Sequence, residues 1–423
     1  MQKVYVSGMG IHSAAGFGVP AFMNALVCGE SLISHCDSMP ELGFNYYRAG
    51  IPEFNLKTCL QSFIERNDLS SCADFQLSRI LRSTHRTSLP VQVSVTSALE
   101  AWYQAKLHSY TVPPEKIALV VCGQNITNNY SYKLRNRFDI EPDYLPPDYA
   151  MQFMDTDHIG TLTELLPIRA EGYSVGGASA SGNLGIMHGF RLVSQGVADV
   201  CLVVGCMAEL SPMEVQGFHQ CGALGKNRCS PFDSSCEGFV PGEASACIVL
   251  ESESSATNRG AVPLGEIKSV ATLLAGSRQP APDVKAEAAV MQKALGEANL
   301  SADNIDYINT HGTSSESGDH AEVSAINEVF SINDVYPWVN ATKSIVGHNL
   351  WSASIVEAIA IILQINNDFL HPNKYLKQPI NNNIKWVPQE VLTQSVSIAL
   401  NNSFGFGGIN TCSIFQKYNV ESP

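Results

Sequence analysis

One serine and two histidines have the residue types and settings for chemistry. Ser179 stands in Gly176-Gly177-Ala178-Ser179-Ala180-Ser181-Gly182, between an apolar approach and a helical pattern with Leu184, Met187 and Phe190 on one face. Small residues let the backbone turn sharply from strand into helix. A serine at such a turn faces unpaired amide N–H groups and the positive helix end, which suits an oxyanion or a mounted nucleophile. The plain alternative is that Ser179 or Ser181 caps the helix. His311 lies in NTHGTSSESGD after a short strand, and His348 in KSIVGHNLWSAS near a helix start. Each is either a hydrogen-bonded structural residue or an N–H donor, and two neutral imidazoles on one oxygen would hold an enolate. His320 has no neighbouring Cys or third ligand for zinc, so no metal site is expected.

Near the C-terminus, SFGFGGIN sets Phe404 and Phe406 among glycines that let the chain pass close to a ligand. The alternative is a tight turn with core phenylalanines. The stretch is no phosphate-binding fingerprint, and neither a P-loop nor a G-x-S-x-G elbow occurs.

The elements that must position these residues alternate. Buried strands are expected at 3–8, 117–122, 199–205, 246–251, 264–274, 307–309 and 395–401, with a last one after FGFGG. Helical patterns run over 75–104 with a break at Pro90, from the Ser179 turn to Gly196, and over 283–298, 320–330 and 344–363. Residues 125–147 lack a period and read as irregular, at a subunit interface. The polar stretch 252–260 reads as a crossover between two series of similar order, each closing with a hairpin-like pair. This predicts an α/β fold with largely parallel sheets and an internal duplication.

The chain has 423 residues, 45% hydrophobic, and a net charge of −14, which argues against nucleic acid as a partner. Its 12 cysteines form no CxxC pair, and the N-terminus carries no signal peptide, so reduced thiols and a cytoplasmic location are expected. No apolar run approaches the ~20 residues of a membrane span, so no membrane association is expected.

Taken in order, VSGMGIHSAAG, MDTDHIG, GASASG, SPFDSSCEGFVPGE, THGTSSESGDHAE, KSIVGHNLWSAS and NSFGFGGIN resemble the β-ketoacyl–acyl carrier protein synthase family across nearly the whole chain. The resemblance implies a thiolase-like fold: two duplicated βαβαβαββ halves in a five-layered α-β-α-β-α arrangement. Residues 1–255 would form the N-terminal half with Ser179, and 256–423 the C-terminal half with His311, His348 and Phe406. A homodimer is implied, with the active site at the junction of the halves.

Carried onto this chain, Ser179 falls on the nucleophile, where the family's pattern has Cys. His311 and His348 fall on the catalytic histidines, Lys343 on the lysine that supports them, and Glu357 on a glutamate of the following helix. Phe406 falls on a gating phenylalanine, whose N–H with that of Ser179 would form an oxyanion hole. Phe404 stands beside it as a substrate-site residue. Phe232 falls beside the malonyl carboxylate, and Thr313 and Ser315 on the hydroxyl pair that grips the pantetheine arm. No bound cofactor is implied beyond the phosphopantetheine of an acyl carrier protein. Arg79, Arg82 and Arg86, at helical spacing, are the candidate face for that acidic partner, and Lys133, Arg135 and Arg137 a second set.

A serine hydroxyl is far less acidic than a thiol, so acyl loading should be crippled while decarboxylation survives. This pattern resembles the Ser-for-Cys decarboxylating proteins of polyketide β-branching cassettes. These convert malonyl– to acetyl–carrier protein for a hydroxymethylglutaryl-synthase-like enzyme. The alternatives are a non-catalytic partner subunit and an elongating synthase in which Ser179 acts as nucleophile or was engineered from Cys.

Overall fold

The run Ile117–Cys122 is buried at every position, as befits a strand covered on both faces. In the computed structural model, which describes residues 2–110, 112–277, 281–331 and 336–419, this strand belongs to a 12-stranded sheet. Its principal strands are β1 (Val4–Ser13), β2 (Ile117–Cys122), β3 (Gly172–Val175), β4 (Val200–Gly205), β5 (Ala244–Ser252), β6 (Gly265–Leu274), β7 (Tyr307–Asn309), β8 (Trp338–Asn340), β9 (Lys385–Trp386), β10 (Ile398–Gly405) and β11 (Ile409–Gln416). They lie in the order β9-β8-β7-β10-β11-β6-β1-β5-β4-β2-β3.

That order repeats about its middle. β1 runs antiparallel to β5, β5 antiparallel to β4, and β4 and β3 both parallel to β2. Likewise β6 is antiparallel to β11, β11 antiparallel to β10, and β10 and β8 both parallel to β7. The two series meet where Val4–Val6 pairs antiparallel with Gly265–Ile267. The expected closing pairs are present. Only β10–β11 is a tight hairpin, turning through Gly407 (φ 90) and Gly408 (φ 74), which need glycine.

The helices that matter most are α1 (Leu77–Thr84), α2 (Leu89–Gln104), α3 (Asn128–Ile140), α4 (Ser181–Ser194), α5 (Val284–Ala298), α6 (Glu316–Phe330), α7 (Lys343–Val346) and α8 (Ala353–Asn367). α4 follows β3 and α8 follows β8, so they hold equivalent places in the two series, and they pack on each other. Gly182 permits this: a Cβ there would lie 2.9 Å from Ser354 Cβ and 3.1 Å from the Ile355 nitrogen. Residues Ala353–Ile365 are all buried. The stretch Leu350–Asn367 is long and apolar enough to cross a membrane, contrary to the expectation from sequence, but 83% of it lies inside the fold as a core helix.

Three other expectations change. Residues 128–140 are helical, not irregular. α3 buries only Asn129, so its sequence shows no apolar stripe, and an Arg135–Asp139 pair supports it from outside. Pro90 does not break a helix; it sits in the first turn of α2, where its missing N–H is harmless, and the break precedes it. The helix expected over 344–363 is two helices, α7 and α8, separated at Gly347, whose φ of 68 stops α7. His348 stands in that interruption.

Candidate active site

A cavity of about 860 Å³ opens beside the turns that follow β3, β7 and β8. Ser179, His311 and His348 all line it. Ser179 sits in a 3-10 turn, Ala178–Ala180, ahead of α4. Ala178 holds φ 49, a conformation costly for a residue with a Cβ and found at over-determined functional turns. No side chain caps α4; Ser181 Oγ braces the preceding turn, accepting the Gly177 N–H at 2.9 Å and donating to the Ala178 carbonyl at 2.7 Å. Ser179 is thereby left to face the cavity. Its carbonyl accepts a bond from Ser403 Oγ at 2.9 Å, which ties the turn to β10.

Ser179 Oγ lies 2.8 Å from His348 Nε2. The Leu350 N–H donates to His348 Nδ1 at 3.4 Å, so that nitrogen is the acceptor and Nε2 carries the hydrogen. The His348 backbone is strapped on both sides, its N–H to the Val240 carbonyl at 2.7 Å and its carbonyl from the Gly242 N–H at 2.8 Å. The His311 ring stands 5.5 Å from that of His348 at 85°. Its loop is held by Glu322, whose two carboxylate oxygens accept the N–H groups of His311 and Gly312, each at 2.8 Å.

Both imidazoles are held well below the ordinary histidine range, first by burial and then by the positive charge of Lys343. They are neutral at physiological pH. Lys343 is 1% exposed and pairs with Glu357, 2% exposed, at 2.5 Å. Burial lifts the Glu357 carboxyl to about 7, against the pull of Lys343. Phe239 packs edge-on to His348 and Phe404 against His311, so an aromatic ring abuts each imidazole.

Models of the β-ketoacyl synthase N-terminal domain and C-terminal domain match residues 1–256 and 264–377. The chain belongs to the β-ketoacyl synthase family. It is 32% identical over 425 residues, covering 99% of this chain and 97% of the relative, to the polyketide biosynthesis malonyl-ACP decarboxylase PksF of Bacillus subtilis (strain 168). It is 29% identical over 433 residues, 99% of this chain and 87% of the relative, to the chloroplastic 3-oxoacyl-[acyl-carrier-protein] synthase I of Arabidopsis thaliana. In fold it is similar to the ishigamide ketosynthase/chain length factor, with a TM-score of 0.84 at 24% identity, covering 99% of this chain and 100% of that one.

In this ketosynthase cavity the expected residues fall into two groups. Thr313 and Ser315 line it with their hydroxyls 2.9 Å apart, and Phe404 and Phe406 line it from the β10–β11 turn, Phe406 being 49% exposed. Lys343 and Glu357 lie behind it as the buried pair, so Glu357 does not reach a substrate directly. Phe232 is also displaced from its expected place. It is fully buried behind Gly312 and against Trp386, with ring centroids 4.9 Å apart, and does not line the cavity. The phenylalanines that line the cavity against the imidazoles are Phe239 and Phe404.

The arginine face also resolves differently. Arg79 spends its guanidinium on the carbonyls of Glu164 and Leu165, Arg82 is exposed, and Arg86 lies beyond the end of α1. None of the three lines the cavity. Exposed Lys226 and Arg228 stand on the loop whose residues Cys221–Ala223 do. Lys133 pairs with Glu209 and Arg135 with Asp139 on α3.

Sequence reasoning passed over Asp319 and Glu322, although both stand in the quoted THGTSSESGDHAE stretch. Three residues apart on α6, they share one face. Asp319 accepts the N–H groups of Phe232 at 2.7 Å and Ser314 at 3.1 Å, two residues held at positive φ (63 and 66).

Proposed function

We propose that this ketosynthase-family protein decarboxylates a malonyl thioester carried on the phosphopantetheine arm of an acyl carrier protein, giving the acetyl thioester. The observation that carries this reading is the Leu350 N–H set against His348 Nδ1. With the Leu350 N–H on Nδ1, the hydrogen on Nε2 points at Ser179 Oγ, so this imidazole is placed to donate and not to take the serine proton. A serine without a base is a poor nucleophile. The resemblance sets Ser179 where the family's pattern has Cys, and the Bacillus relative is named a malonyl-ACP decarboxylase.

The steps follow from the residues. The pantetheine arm enters past Thr313 and Ser315. His348 turns its N–H from Ser179 Oγ to the thioester oxygen, and His311 donates to the same oxygen. The bond between the α-carbon and the carboxylate breaks, carbon dioxide leaves, and its electron pair becomes the enolate that the two donors hold. Each donor aimed at developing charge contributes about 3 kcal/mol. Their neutrality matters, because it leaves no acidic imidazolium to be neutralised before the reaction. Phe239 and Phe404 keep water off the developing charge and so strengthen both hydrogen bonds. A homodimer, an acidic carrier protein as partner, and a place in polyketide β-branching before a hydroxymethylglutaryl-synthase-like enzyme complete the proposal.

The test is intact-mass spectrometry of a malonyl-loaded carrier protein incubated with this chain and no acyl primer. Conversion to the acetyl form, with no acyl mass on the enzyme, is expected. An acyl ester on Ser179 would replace this reading with a condensing enzyme, and no conversion by folded protein would replace it with a partner subunit.

A further inference from the structure

Glu287 has no part in the scheme above, yet it lines the same cavity as Ser179 and both histidines. Its side chain comes from α5, where it stands one helical turn before Met291 on the same face. Met291 Sδ accepts from Asn402 Nδ2 at 3.4 Å, and the same Nδ2 donates to Glu322 Oε1 at 3.1 Å, the oxygen that holds the His311 N–H. Glu287 is thus placed beside the carboxylate that fixes His311. It is 2% exposed, and its Oε2 is buried with no hydrogen-bond partner among the described residues. Native proteins rarely leave a buried polar oxygen unpaired, and an exception at a reactive cavity calls for a role.

Its charge state fits one role. Burial, with the negative charges of Glu322 and then Asp283 beside it, lifts the Glu287 carboxyl to about 9, so it is a protonated acid at neutral pH. Decarboxylation consumes a proton at the α-carbon, and neither neutral imidazole is a strong acid. From this we infer that Glu287 is the general acid that protonates the enolate. The inference rests on the decarboxylase reading. The Glu287 O–H bond breaks, directly or across one water, and its proton joins the α-carbon as the enolate electron pair forms the new C–H bond. The product is the acetyl thioester, and the Glu287 carboxylate regains its proton from water that follows the departing product.

Three enzymes test it: the natural chain, Glu287→Gln and Glu287→Asp. Each is mixed with malonyl-loaded carrier protein under ¹³C-labelled carbon dioxide, and the carrier protein is read by mass. Glu287→Gln keeps shape and hydrogen bonding but has no acidic proton. Its acetyl formation should fall by about 10²–10⁴-fold. A long-lived enolate also recaptures carbon dioxide, so ¹³C should appear in the recovered malonyl group, a signal that a merely structural residue would not produce. Glu287→Asp should restore part of the rate and suppress the exchange. Full-rate acetyl formation by Glu287→Gln without ¹³C exchange would overturn the role of Glu287 while leaving the decarboxylase standing. An inactive natural chain would overturn the reading on which it rests.

Discussion

Ser179 and His348, bonded at 2.8 Å, occupy the corresponding turn of the two series: one after β3 and before α4, the other after β8 and before α8. The donor and the hydroxyl it meets are therefore products of one strand-to-helix turn used twice. That relationship also fixes what changing the serine should do.

Ser179→Ala should keep malonyl decarboxylation within about threefold, because in the proposed scheme the hydroxyl serves neither as base nor as donor to the thioester oxygen. Ser179→Cys should behave differently. A thiol at a helix N-terminus ionises readily, so this variant should take an acyl group from an acyl-loaded carrier protein and show its mass on the enzyme. Intact-mass spectra of both variants check this.

His311→Ala and His348→Ala should each lower decarboxylation by about 10²–10³-fold. The double variant should lose less than the product of the two, since both rings serve one oxygen. Single-turnover rates at saturating carrier protein measure it. The His311 loop should stay folded in His311→Ala, because Glu322 grips its backbone and not its ring.

The stability contributed by Glu100 should fall as pH rises. Glu100 is buried, accepts the Ile11 and Val19 N–H groups at 2.9 and 2.8 Å, and is lifted by burial from 4.5 to about 7. A raised carboxyl pKa means that the folded state binds more protons than the unfolded chain between those values. Its stabilisation is full below pH 4.5 and is lost through pH 7, on the order of 3 kcal/mol. Glu100→Gln removes this falling contribution, so its melting temperature relative to that of the natural chain should rise from pH 5 to 8.

Carrier-protein capture should depend on the loop at the cavity mouth more than on α1. Arg228→Glu should raise KM about tenfold at low salt with kcat unchanged, while Arg82→Glu should leave both alone. Steady-state kinetics at two salt concentrations separate the outcomes.

Much of this was legible in the chain itself. Runs such as Ile117–Cys122 announce strands because both faces are covered, and β2 and β7 have the expected bounds. Ser179, His311 and His348 stood out because small or glycine-rich sequence surrounds each. What stayed hidden depended on contacts distant in sequence. α3 has no buried stripe to betray it. The family resemblance sets Phe232 in the cavity, and only the fold puts it behind Gly312. Glu287 looks like any surface glutamate of an amphipathic helix until α5 packs it against Glu322.

The repeated strand order has a consequence for descent. Position two past the end of β7 is His311, and position two past the end of β2 is Gln124, which lines the same cavity. The two series thus meet face to face across the cavity, and each lends it side chains from matching turns. Such a seam is open to piecemeal editing: one copy can surrender its reactive group while its twin keeps its own, so one lineage can shed part of an old reaction and specialise in the remainder.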